Sequence, residues 1–274
     1  MAEIPANSSP PGDEPVENSP TREALSVNLP SRKRSKIFDS AAAALFDLND
    51  GNSVMSGGFG LSGNAENCIS AIAASGKKNL TIIANNCGNQ RQGLAVLLQN
   101  KQVKRFIGSF VGGNPDLEEQ MLGGLVDVEL SPQGTFAERI RAGGAGIGGF
   151  YTPTGVGTLI AAGKDERAFD VDGPAGRRSR RMILETGLRA DFAIVRAKVA
   201  DAYGNLRFYR TSRNFSPLMA MAARTTIVEA EEIVPVGSID PDDVHLSGLF
   251  VQRIVQAVGL RNVIEQRTTR PRKA

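Results

Sequence analysis

Tryptophan is absent from the 274 residues, tyrosine occurs three times and histidine once. So few flat rings leave little for nucleic-acid bases to stack on. Cys68 and Cys87, the two cysteines, lie far apart and form no CxxC pair. That argues against a disulfide framework and against a cysteine-based metal site, and it points to a reducing, cytoplasmic setting. No apolar run approaches the ~20 residues that span a membrane. No basic-then-apolar leader is visible at the start, so neither membrane insertion nor secretion is expected. The single histidine, His245, reads as structural. No metal or redox cofactor is implied.

Excess of one charge sign is also missing from the body of the chain. The net charge is +3 and the pI is near 9.0. Residues 266–274, however, carry four positive charges and no acid, while residues 1–36 carry five acids and five bases. Taking the tail's +4 from the net +3 leaves −1 for residues 37–265. A globular part that is not basic argues against a nucleic-acid partner.

What is present divides the chain in three. Residues 1–36 hold six of the 14 prolines amid Ser, Asn and Glu, and read as a disordered segment. Its basic end, "SRKRSK" (31–36), reads as a solvated linker. Residues 37–260 are expected to form one α/β domain, and 261–274 a basic tail. In the domain "DSAAAALFDL" predicts a helix capped by Asp39 or Ser40. "LTIIA" (80–84), "VKRFIG" (103–108) and "VDVEL" (126–130) predict strands. "AENCISAIAASG" (65–76), "RQGLAVLLQN" (91–100) and "PDLEEQMLGG" (115–124) predict helices between them. The alternation implies βαβ units, hence an open, mainly parallel sheet with flanking helices. Beyond residue 165 the runs "RRMILET", "ADFAIVRAKVAD", "GNLRFY" and "TTIVEAEEIV" are strand-like. They suggest a mixed or antiparallel extension from about residue 160. "LFVQRIVQAV" (249–258) predicts a last helix.

Two glycine-rich stretches carry the functional signal. "GGFGLSGNAENCI" (57–69) contains Gly58-x-Gly60-x-x-Gly63, the spacing of a dinucleotide-binding turn. Such a site also needs a carboxylate at the end of the next strand to hold the ribose hydroxyls. Here "LTIIA" ends in Asn85-Asn86, and the next acid is Asp116. Without that acid the motif taken alone favours a strand-to-helix turn that needs glycine only for its backbone angles. The second stretch, "LSPQGTFAERIRAGGAGIGGFYTPTGVGT" (130–158), packs seven glycines into residues 143–157. This density suits backbone that approaches a ligand or another chain closely.

Together with "NNCG" (85–88), "KQVKRFIGSFVGGN" (101–114) and "RNFSPLMAMAARTTIVEAEEIV" (213–234), these stretches resemble the A (alpha) subunit of the 3-oxoacid CoA-transferases, the succinyl-CoA:3-ketoacid CoA-transferase family. The resemblance runs from about residue 40 to 258. It implies transfer of CoA from an acyl-CoA such as succinyl-CoA to a 3-oxo acid such as acetoacetate or 3-oxoadipate, as in ketone-body metabolism. Coenzyme A thioesters are then substrates and no cofactor is needed. It also implies a partner B subunit whose glutamate, in a Ser-Glu-Asn-Gly setting, is the nucleophile. That setting is not found in this sequence, so the chain alone is expected to be inactive.

By resemblance, Gln133 of "PQGT" faces the partner's glutamate and donates to an oxyanion. On its residues alone, bonding to free backbone groups at a helix start is the favoured reading of this glutamine. Asn85 and Asn86 would lie near the substrate or pantetheine chain, although ordinary turn chemistry explains such residues too. Gly57, Gly58, Phe59, Gly60 and Gly63 would shape the pocket floor. Two prolines of the family pattern are missing, one replaced by Ala65 and one within "GIGGF", and both losses are expected to loosen backbone near the pocket. Two other classes stay open: a non-catalytic binding or sensor protein on the same scaffold, and a nicotinamide enzyme.

Overall fold

A parallel sheet needs both faces covered, so its strands read as apolar runs rather than strict alternation. The computed structural model, which describes residues 35–89, 91–174 and 176–260, has this organisation. The chain order is β1 (Ile37–Phe38), α1 (Ala41–Ala44), β2 (Ser53–Ser56), α2 (Glu66–Ser75), β3 (Leu80–Ile83), α3 (Ala95–Gln99), β4 (Val103–Gly108), α4 (Pro115–Leu122), β5 (Asp127–Leu130) and α5 (Gln133–Gly144). It continues with β6 (Gly149–Thr152), β7 (Glu166–Val171), β8 (Arg178–Thr186), β9 (Ala190–Asp201), β10 (Leu206–Arg207), α6 (Ser216–Ala222), β11 (Ala223–Val234) and β12 (Arg253–Gln256).

The main sheet has the order β1-β12-β11-β9-β2-β3-β4-β5, with β10 added antiparallel on β9. All other pairs in it are parallel. The two-residue period sorts side chains between its faces. Val54, Leu80, Ile82 and Phe106 enter the core under α1–α4. Met55, Ile83, Ile107 and Ala193 enter the core under α5 and α6, where Phe136 and Phe215 pack with ring centroids 5.5 Å apart. The mainly parallel sheet expected from the βα alternation is therefore present. The antiparallel extension is a separate three-stranded sheet, β6-β8-β7.

Local rules explain several boundaries. Ser40 caps α1 by accepting from the Ala43 N–H at 3.1 Å. Asn114 caps α4 through the Leu117 N–H, ahead of Pro115. Five expectations need correction. The stretch 249–258 is not helical: a 3-10 turn at Gly248–Phe250 leads into β12. Its apolar residues 251, 254 and 255 have helical spacing, but Ile254 and Val255 enter opposite cores between β1 and β11. Sheet pairing on both sides overrides the periodicity. The helix expected at 91–100 starts only at Ala95, because Arg91 and Gly93 take left-handed backbone angles. The extension begins at Gly149 rather than near residue 160. The long strands β9 and β11 belong to the main sheet, paired from Ala190↔Ala223 to Asp201↔Val234.

The fourth correction concerns the glycine run 143–157. Much of its close approach is within the chain. A Cβ on Gly143 would stand 1.8 Å from the Leu188 carbonyl oxygen, so α5 ends with its backbone pressed on the segment entering β9. Lys36 is likewise not a solvated linker end, since its Nζ donates to the carbonyls of Tyr203 and Gly248 at 2.7 and 2.8 Å. The other residues of the expected N-terminal segment up to Arg34, and those of the C-terminal tail, lie outside the described residues.

Candidate functional site

In open α/β sheets, ligands sit beyond the carboxyl ends of the strands. At that edge the loops after β2, β3, β4 and β5 meet. The loop after β2 carries Gly57–Gly63, and the segment after β3 is Asn85-Asn86. Ser109 and Phe110 follow β4, and Gln133 opens α5 after β5.

A chain of hydrogen bonds joins these loops. Gln133 Nε2 donates to Asn85 Oδ1 at 3.0 Å. Ser109 Oγ donates to the same oxygen at 3.0 Å. Asn85 Nδ2 donates to Asn86 Oδ1 at 3.3 Å, which also takes the Gly60 N–H at 3.0 Å. Gln133, Asn85, Asn86 and Gly60, singled out separately in the sequence, thus form one connected group. Asn85 is buried and Gln133 is exposed. Each amide nitrogen carries two protons, so Gln133 keeps one N–H beyond the one bonded to Asn85. Phe59 and Phe110 are 50% and 58% exposed and rim the group with unburied rings.

The glycine loop is held from the other side by Asn214, which sequence reasoning did not single out. Asn214 Oδ1 accepts the Gly58 N–H at 3.0 Å, and its Nδ2 donates to the Ser62 carbonyl at 3.1 Å. The signal was an asparagine just before the Ser216–Ala222 helix, on an element 150 residues distant in the chain. Gly58 has φ +123°, and a Cβ there would lie 1.9 Å from Asn64 Oδ1, so the loop has room for no side chain. Ser131, two residues before Gln133, has a buried hydroxyl with no partner among the described residues.

A second missed residue is Glu229 of β11, fully buried. Ala65 is the N-cap of α2 and has no side-chain oxygen to offer. Glu229 Oε2 supplies that function from a distance. It accepts the N–H groups of Asn67 and Cys68 at 2.7 and 3.1 Å, the second and third residues of the helix. Burial pushes its carboxyl up to about 7, against these two N–H groups and Arg196, which favour the charge. Its other oxygen, Oε1, is buried without a hydrogen-bond partner. Burial also raises Glu66, the first residue of the helix.

This arrangement bears on the dinucleotide reading. A pyrophosphate in such a fold needs the free N–H groups of the helix that follows the glycines. Here a carboxylate occupies two of them, and Glu66 adds a second acid beside it. The residues at the end of β3 remain amides. The glycine signature is thus a loop scaffold and not a nicotinamide site.

Neither cysteine suits nucleophilic work. Burial pushes the Cys87 thiol up to about 12, and burial beside Glu229 raises Cys68 well above its usual value. His245 Nδ1 accepts the Phe208 N–H at 3.0 Å, a packing role. Among the described residues no group of three or more His, Cys, Asp or Glu could hold a metal ion. No helix among them is long and apolar enough to cross a membrane. The hydrogen-bonded site group therefore consists of amides, a hydroxyl and backbone N–H. It can stabilise negative charge, and it contains no carboxylate or thiol.

Comparison with known proteins places this geometry. A family model for coenzyme A transferase matches residues 38–257. The A subunit of a probable succinyl-CoA:3-ketoacid coenzyme A transferase from Bacillus subtilis (strain 168) is 49% identical over 233 residues, 85% of this chain and 94% of that protein. The A subunit of the succinyl-CoA:3-ketoacid coenzyme A transferase from Helicobacter pylori (strain J99 / ATCC 700824) is 47% identical over 87% of this chain and 99% of its own length. Among solved structures, an acyl-CoA transferase from Escherichia coli O157:H7 in thioester complex with CoA shares the fold at TM-score 0.72 and 20% identity, over 84% of this chain and 48% of that longer one. Glutaconate coenzyme A-transferase of Acidaminococcus fermentans shares it at TM-score 0.67 and 20% identity, over 81% of this chain and 76% of that one.

Proposed function

This chain belongs to the coenzyme A transferase family, and on that premise we propose that it is the A subunit of a heteromeric enzyme moving CoA from succinyl-CoA to a 3-oxo acid, acetoacetate or 3-oxoadipate. The partner B subunit brings the glutamate nucleophile. The observation that carries the reading is the composition of the site group: Gln133, Asn85 and Asn86 carry amide N–H groups that can donate to a developing anion, Ser109 fixes Asn85, and no carboxylate is among them. Such a half-site can do its part only if the attacking group arrives from another chain.

The chemistry then follows in balanced steps. The partner's carboxylate attacks the thioester carbonyl, whose oxygen becomes an oxyanion. The tetrahedral adduct collapses to a mixed anhydride and expels CoA thiolate. The thiolate attacks the glutamyl carbonyl, releases the donor acid, and leaves a glutamyl-CoA thioester. The acceptor's carboxylate reverses the sequence. In each addition the free N–H of Gln133 donates to the oxyanion. A donor of this kind typically contributes ~3–4 kcal/mol to the transition state. Asn85 holds the Gln133 amide by its other N–H. The glycine loop forms the floor on which the acyl group rests. No metal or redox cofactor enters these steps, and the reading places the enzyme in the cytoplasm.

The test is reconstitution. The purified chain should neither transfer CoA nor form a thioester. Co-expressed with a chain bearing the Ser-Glu-Asn-Gly segment, it should transfer CoA from succinyl-CoA to acetoacetate or 3-oxoadipate. CoA transfer by the isolated chain would refute the shared site, and transfer only to acids lacking a 3-oxo group would refute the acceptor class.

A further inference from the structure

The β7–β8 hairpin has no part in the steps above. Its base is fixed: Ile183 and Glu185 of β8 are buried, and Glu185 meets Arg139 of α5 and Lys164 at 3.8 and 2.6 Å. Its outer half is not. In β8 the residues Arg178–Arg181 are exposed on both faces, and five of the six residues of β7 are exposed.

The hairpin's course can be read from its contacts. Gly187 lies against Gly143 and Ile147 at the C-terminal end of α5. Thr186 and Glu185 meet the guanidinium of Arg139, a turn nearer the start of that helix. Traced backwards, β8 therefore advances toward the Gln133 end of α5. From Arg139 to Gln133 the helix rises ~9 Å. From Glu185 to Arg178 the strand covers ~23 Å. The hairpin is thus long enough to reach past Gln133.

Antiparallel pairing fixes which side chains share a face. Phe169 lies opposite Arg180 and Val171 opposite Arg178, so both arginines stand beside the Phe169 ring on one face. Three neighbouring arginines are already paired, Arg167 with Asp165, Arg177 with Asp170 and Arg181 with Glu166. Arg178 and Arg180 have no ion pair among the described residues. Asp172, just beyond β7, is the remaining acid at the tip. Tyr151 of β6 packs its ring 4.9 Å from Phe169 and supports it from across β8.

Two uncompensated guanidinium groups two residues apart, next to a supported aromatic ring, suit a ligand that is both polyanionic and flat. The family's substrate has such an end, separated from its reacting sulfur by a pantetheine arm. We propose that this face seats the 3′-phosphorylated adenosine diphosphate end of coenzyme A, with Arg178 and Arg180 on its phosphates and Phe169 against its adenine. It rests on family membership and does not depend on which acid is the acceptor.

The test pairs two readouts on R178Q/R180Q. Adenosine 3′,5′-bisphosphate titrated calorimetrically into the full chain at low salt should bind the wild type and lose roughly tenfold or more in affinity in the variant. In the assembled enzyme the variant should raise KM for succinyl-CoA roughly tenfold. It should leave KM for the acid unchanged, and the difference should vanish when the donor is succinyl-pantetheine, which lacks the nucleotide. Failure of the wild-type chain to bind the bisphosphate, or equal binding by both chains, would overturn the proposal. So would an equal KM rise with succinyl-pantetheine. A variant that falls apart from its B subunit in sedimentation would instead mark the hairpin as a protein-docking element. Failure of the 3-oxo acid reading would show separately, as a wrong acceptor with the bisphosphate still bound.

Discussion

Replacing Glu229 with glutamine should change how stability depends on pH. The buried carboxyl is raised from 4.5 to about 7, with burial as the first cause. A group whose folded value is raised binds its proton more tightly in the folded state. Its contribution is therefore fully present below about 4.5, and it is lost as pH rises through about 7. The difference of roughly 2.5 units corresponds to about 3 kcal/mol, at ~1.36 kcal/mol per unit. Wild type should lose this stability between pH 5 and 8 through Glu229, and the glutamine variant should not. The variant's absolute level is harder to set, because its amide fills the place of Oε1, which has no partner, at a cost of ~1–3 kcal/mol. The difference between the two proteins avoids that difficulty. Urea melts of both full-length chains at half-unit pH steps should show the variant gaining about 3 kcal/mol on wild type from pH 5 to 8. Glu66 and Cys68 on α2 and Arg196 on β9 face the same carboxyl and are present in both proteins, so their own titration largely cancels. Parallel curves across the range would refute the claim that burial of this carboxyl outweighs the two N–H groups at the start of α2.

The other expectations concern the site loops. Gln133→Ala in the assembled enzyme should lower kcat by ~10²–10³ without dissociating the subunits; unchanged turnover in a stopped-flow CoA-transfer assay would remove Gln133 from the oxyanion role. Gly58→Ala must accept φ +123° and a Cβ 1.9 Å from Asn64 Oδ1. The backbone strain alone costs ~1–3 kcal/mol, so a melting temperature within a degree of wild type would contradict the geometry. Ala65→Pro should be accepted, because φ there is −84° and the position precedes the first helical residue. A gain of ~0.4–1 kcal/mol is expected in chemical denaturation, whereas a loss above 1 kcal/mol would mean that the missing proline is excluded by the backbone and not merely absent.

Where sequence and fold agree, the same physical rule operated in both. β3 is an apolar run with alternate residues entering two cores, and α1 and α4 carry caps that can be read locally, Ser40 and Asn114. Residues 249–258 failed for the opposite reason. Their spacing is helical, and only the presence of β1 and β11 on either side makes them a strand. The site divides in the same way. Gln133, Asn85, Asn86 and Gly60, which the resemblance marks, are joined by hydrogen bonds at the strand ends, a place the βα alternation already indicates. Asn214 and Glu229 were not legible, because each acts on the glycine signature from more than 150 residues away. An asparagine before a helix and a glutamate in a strand look ordinary until the sheet order β11-β9-β2 carries them to that loop.

Those two residues also change the meaning of Ala65. In the sequence its presence where the family pattern has proline suggests a loosened loop. In the fold, the loop is fastened at Gly58 and Ser62 by Asn214, at Gly60 by Asn86, and past its end at Asn67 and Cys68 by Glu229. Three separate segments therefore set its path, and the rigidity a proline would add is largely supplied by side chains. Such a loop does not have to rearrange when negative charge develops above it, which is the condition under which neutral donors stabilise a transition state most. Under the proposed function, the same condition would account for a division of labour between two chains. A carboxylate built permanently beside Gln133 and Asn85 would be bound by them in its resting state and made a weaker nucleophile. Bringing it in on a partner leaves these amides free for the oxyanion that the attack creates.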